Sequence, residues 1–131
     1  MTRLLLITFL ILLCSGPACA EWMRLTSSED TGDTTLYGDP ETNRRKGDLV
    51  KAWFLIDEKT KRTVAGQSHL SSKHLYEFDC AEERMRLLAV SNFSDNMGRG
   101  KVVFSNSDEQ KWEPVQPGSV GQGLWGLACG K

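Results

Sequence analysis

The chain is expected to fold as an α+β domain that is mainly β: an antiparallel β-sheet with a short C-terminal helix packed on it and one disulfide. Three observations predict this. Apolar residues recur with period two through most of the chain, as strands require. A short helical stretch follows Pro117-Gly118-Ser119 near the end. Only Cys80 and Cys129 lie beyond an N-terminal export segment.

The export segment comes first. Arg3 supplies a positive charge, and Leu4 to Cys14 is apolar except for Thr8. Ser15-Gly16-Pro17 ends any helix, and Ala18 and Ala20 fit the small-residue cleavage positions. That order is a secretory signal peptide over residues 1–20, cut after Ala20. The apolar run is well short of the roughly 20 residues that span a bilayer, so no transmembrane anchor is expected after cleavage. Lipid attachment at Cys14 or Cys19 is disfavoured, because Leu13 precedes one and Gly16-Pro17-Ala18 the other. Taking 20 residues from 131 leaves a single domain over 21–131. Losing Arg3 moves the formal charge from −1 to −2, so no global field draws in nucleic acid. In an oxidising compartment the two remaining cysteines allow one pairing, Cys80 with Cys129.

Trp22 to Leu25 reads as a first strand, Ser27 to Asp33 as a polar turn, and Thr34 to Tyr37 as a second strand. Pro40 to Gly47 reads as a connection. Asp48 to Ile56 is the clearest strand, with Val50, Ala52, Phe54 and Ile56 on one face and Leu49, Lys51, Trp53 and Leu55 on the other. Both faces are largely apolar, which predicts a central strand covered on both sides. Asp57 to Arg62 is charged and turn-like. Ser72 to Ser94 reads as a long hairpin whose register charge can set: Asp79 opposite Arg84, Glu77 opposite Arg86, and Leu75 opposite Leu88. The same register puts Phe78 against Met85 and Tyr76 against Leu87. Residues 95–100 form a second connection, leading into a strand over Lys101 to Ser105. Pro114 and Pro117 exclude a central strand between them. Ser119 then caps a helix over Val120 to Cys129, with Leu124, Leu127 and Ala128 on its inner side. Three glycines weaken that helix by about 0.8–1 kcal/mol each.

No convergent set of nucleophile, base and orienting group emerges, so no catalytic residue is assigned and the chain does not read as an enzyme. His69 and His74, five apart, fall on opposite faces of a strand and read as surface or edge histidines. Neither they nor the cysteines show metal-ligand spacing, and no pattern calls for a cofactor. The pairs Glu29-Asp30 and Glu82-Glu83 read as solvated turns. Gly98-Arg99-Gly100 matches no phosphate-binding loop and reads as a hairpin turn. Two features remain as candidate partner contacts. Arg44-Arg45-Lys46 is a tight basic cluster suited to acidic glycans, lipid headgroups or an acidic protein surface, though three charges also suit a plain solvated loop. Trp112, between Lys111 and Glu113, has the setting of an interface anchor, though core packing is the commoner fate of tryptophan.

An ordered series of residues resembles the bacterial surface-adhesin protein E-like domains. It runs from Trp22 through Tyr37, Asp39-Pro40, Gly47, Val50 and Trp53 to Lys73, Glu77, Asp79-Cys80 and Arg86. It closes on Trp112, Pro117-Gly118-Ser119 and Cys129. The resemblance covers nearly all of residues 21–131. It implies an antiparallel sheet with a flanking helix, exposure on a Gram-negative envelope, and a binding role toward host matrix or other envelope proteins. It places no adhesive residue on this chain. A periplasmic protein that holds a small ligand, or inhibits another envelope protein, is the alternative function.

Overall fold

The computed structural model describes residues 21–27 and 32–131. The expected signal segment and its cleavage site, and the turn carboxylates Glu29 and Asp30, lie outside the described residues.

Eight strands among the described residues form one antiparallel sheet: β1 (Met23–Ser27), β2 (Thr34–Gly38), β3 (Arg44–Lys46), β4 (Leu49–Val64), β5 (Gln67–Asp79), β6 (Arg84–Phe93), β7 (Val102–Asn106) and β8 (Glu113–Pro114). The spatial order is β1-β2-β4-β5-β6-β7. β3 pairs with the start of β4 and continues the line of β2, while β8 does the same for β7 along β6. One helix, α1 (Val120–Cys129), lies across the sheet.

Alternation along β4 explains the core. Val50, Ala52 and Phe54 turn toward α1 and are buried with Phe78, Cys80, Leu124, Trp125 and Cys129. Cross-strand partners in an antiparallel pair share a face. Phe78 therefore lies between Val50 of β4 and Met85 of β6. Ser119 caps the helix, its Oγ accepting from the Gln122 N–H at 3.1 Å. A Cβ on Gly121 would stand 3.0 Å from Met85 Sδ, so this glycine lets the helix approach the sheet closely. Cys80 and Cys129 are bonded, with Cα atoms 5.5 Å apart, and the Trp125 indole N–H donates to the Asp79 carbonyl at 2.9 Å. Both links tie α1 to the end of the β5–β6 hairpin.

The structure corrects several expectations. Residues 57–62 are not a turn: β4 runs on to Val64, interrupted by a bulge, and pairs with β5 around a turn at Ala65 and Gly66, both at positive φ. Glu58 is buried there, accepting from Thr34 Oγ1 at 2.7 Å and facing Arg62 at 3.4 Å, which is how a charged segment sits in a strand. The 40–47 connection contains a 3-10 turn, Pro40–Thr42, and the strand β3. Asp79–Arg84, Glu77–Arg86, Phe78–Met85 and Tyr76–Leu87 pair in the expected register, but Leu75 faces Ala89 rather than Leu88 because a bulge takes up one residue. Leu127 is 60% exposed, and Trp125 takes the inner position instead. His69 is buried and His74 half-buried, not surface residues. Burial above all, and then the neighbouring His69, holds the His74 imidazole below its usual pKa. β4 is central, but only the face toward α1 is uniformly buried, and that only over Val50, Ala52 and Phe54. On the other, Leu55 is fully buried while Lys51 stays exposed.

Candidate functional site

The sheet face opposite α1 carries the candidate residues. Register places Arg44, Lys51, Glu77 and Arg86 in one row across β3, β4, β5 and β6. A parallel row holds Lys46, Leu49, Asp79 and Arg84. Each row crosses three inter-strand steps, about 14 Å. Two features far apart in sequence, the basic cluster and Trp112, thus stand at opposite ends of one face.

The two ends differ in electrostatics. At the β6 end the cations are compensated. Arg86 donates to Glu77 Oε1 through Nε at 2.9 Å and Nη2 at 2.6 Å, and Nη2 also reaches Glu109 at 2.9 Å. Arg84 Nε donates to Asp79 Oδ2 at 3.0 Å. Asp79 organises the adjoining turn as well, accepting from the Ala81 and Glu82 N–H groups at 3.1 Å each. The Glu82 N–H above all, joined by Arg84 and the Ala81 N–H, holds its carboxyl below the usual value against the opposing effect of desolvation. This carboxylate takes the place of a hairpin glycine, and Glu83 adopts the left-handed conformation, φ 47°.

Trp112 is half-buried, with the Arg84 and Arg86 guanidinium carbons 4.7 and 4.3 Å from its ring centroid. Two guanidiniums already held by three ion pairs stack on the ring and make a rigid arginine–aromatic patch. At the other end, Arg44, Lys46 and Lys51 are exposed and form no ion pair among the described residues. With Arg45, Leu49 and Glu77 they line a depression of about 390 Å³. Arg44 donates to the Glu41 and Asn43 carbonyls and Arg45 to the Gly47 carbonyl, so both guanidiniums are tethered at the sheet edge. Lys51 escapes a sequence reading, since a lone lysine in an apolar strand stands out only once Arg44 is known to lie opposite it.

Among the described residues, no three His, Cys, Asp or Glu side chains could hold a common metal ion, and no helix is long and apolar enough to cross a membrane. The face offers fixed charge and an aromatic ring.

Solved structures of Haemophilus influenzae protein E share the fold. The selenomethionine form matches with a TM-score of 0.62 at 11% identity, over 84% of this chain and 86% of that one. The protein from a non-typeable strain gives 0.60 at 14% identity, over 83% and 75%. A second crystal form gives 0.59 at 12%, over 72% and 80%. No curated protein sequence matches the chain. The surface-adhesin protein E family matches residues 22–130, and the chain belongs to that family.

Proposed function

We propose that this is an exported, non-catalytic binding protein of the Gram-negative envelope, cut after Ala20, which meets an acidic partner surface with its open sheet face. Host matrix proteins and other envelope proteins are the partner classes the family suggests. The observation that carries the reading is the group of exposed, unpaired cations Arg44, Lys46 and Lys51 at one end of that face. Exposed charges of one sign on a rigid face attract an oppositely charged surface and fix its orientation.

Replacing Arg44, Arg45 and Lys46 together by alanine is expected to weaken binding to an immobilised sulfated polysaccharide by about tenfold, at roughly 0.2–1 kcal/mol per exposed charge pair. The salt dependence should flatten with it. Unchanged affinity and slope would remove the cluster from the reading.

Location is checked by protease shaving of intact cells expressing the full chain, with osmotically opened cells and the culture medium assayed beside them. Loss of the domain from intact cells, or its recovery in the medium, is the expected result. Protection until the outer membrane is opened would place it in the periplasm and favour the small-ligand or inhibitor alternative.

A further inference from the structure

Beside the basic row, on the same face, lies a cavity of about 270 Å³ lined by Trp22, Asp39, Thr42, Trp53 and Lys73. Its walls are two indoles. Asp39 is 4% exposed, and its Oδ1 has no hydrogen-bond partner among the described residues. A buried acceptor left unpaired is costly and calls for an explanation. Thr42 is held in place by donating its hydroxyl to the Asp39 carbonyl at 2.7 Å, which leaves its oxygen free to accept. The Lys73 ammonium sits 5.9 Å from the Trp22 centroid and 5.1 Å from that of Phe93. Behind it Gly98, at φ 68°, makes room: a Cβ there would fall 2.5 Å from Lys73 Cε. Neither Lys73 nor Asp39 takes part in an ion pair among the described residues. Both retain hydrogen-bonding capacity toward a guest.

These groups select a ligand chemistry. A cationic guest meets Lys73, an anionic one meets Asp39, and a wholly apolar one leaves the Asp39 carboxylate unpaired. A neutral ring bearing hydroxyls satisfies all of them. One hydroxyl donates to the edge of the Asp39 carboxylate that lines the cavity, another oxygen accepts from the Lys73 ammonium, and the C–H face lies on an indole, whose negative π-surface attracts it. The volume is at the small end for ligand sites and suits a single ring rather than a chain. We propose that the Trp22–Trp53 cavity is a carbohydrate subsite that takes one neutral hexose ring. This is independent of the Arg44–Lys46 cluster and of which side of the outer membrane the domain occupies.

The test is saturation-transfer NMR on the exported, processed protein, with the methyl glycosides of glucose, galactose, mannose and N-acetylglucosamine as probes. Choline and acetate serve as charged comparisons. Saturable transfer to the ring C–H protons of at least one glycoside is expected. Asp39→Asn and Lys73→Met should each weaken that binding about tenfold or more, the cost of a lost hydrogen bond to a charged group. The Arg44→Ala, Arg45→Ala, Lys46→Ala variant should bind the glycoside as the unaltered protein does, so this site and the charged face fail separately. Melting curves identify any variant that does not fold, and the other then decides. No saturable binding of any glycoside would overturn the proposal. So would retained affinity in the folded variants, or choline or acetate binding more tightly than every sugar.

Discussion

Truncating Phe78 to alanine lowers the unfolding free energy by about 3–5 kcal/mol, a large part of the 5–15 kcal/mol that small domains typically possess. The ring is fully buried at the middle of the sheet. It meets Phe54 edge-on at 6.0 Å between centroids and lies 6.0 Å from Tyr76. Val50 and Met85 flank it on the neighbouring strands, so no single side chain can swing in to fill the space. The measurement is urea unfolding of the disulfide-bonded protein, with the slope unchanged between variants. Phe104→Ala on the edge strand β7, where the ring is 47% exposed, should cost within about 0.5 kcal/mol. A loss at Phe78 no larger than at Phe104 would show that the core is not where the packing places it.

Replacing Cys80 and Cys129 together by serine removes the bond that closes a loop of 49 residues. In the chain-entropy account that costs about 4 kcal/mol, which for a domain of this size lowers the melting temperature by about 15 °C or more. The loss should concentrate at α1. The helix carries three glycines, and without the bond its anchors to the hairpin end reduce to the buried Leu124 and Trp125 and the hydrogen bond from Trp125 to Asp79. Thermal melting read by far-ultraviolet circular dichroism, which reports the helix, follows it. An unchanged melting temperature, or both thiols free in the exported protein, would contradict the staple.

How far the structure could be read in advance depended on the kind of signal. The β5–β6 hairpin was set by Asp79–Arg84 and Glu77–Arg86, because opposite charges at matching distances from a turn leave one register. The bulge that moves Leu75 onto Ala89 has no local mark, since no glycine announces it. Residues 57–62 look like a turn because charge density usually means solvent. They are strand because Thr34 and Arg62 satisfy Glu58 and the true turn lies further on, at Ala65 and Gly66. On α1, helical spacing alone cannot rank Trp125 above Leu127. The hydrogen bond to a carbonyl 46 residues away does that.

The candidate site was harder still. Arg44-Arg45-Lys46 and Trp112 were each visible as isolated features, but only strand pairing shows that they share a face. The Trp22–Trp53 cavity draws on five residues from four stretches of chain, so no linear motif reveals it.

The helix covers one side of the sheet only, and along β4 buried Val50, Ala52 and Phe54 alternate with outward Lys51 and Trp53. An outward residue such as Lys51 is therefore excused from packing duty, although Leu55 on the same face is fully buried. Such a scaffold can change its exposed outward positions while the buried ones keep it folded.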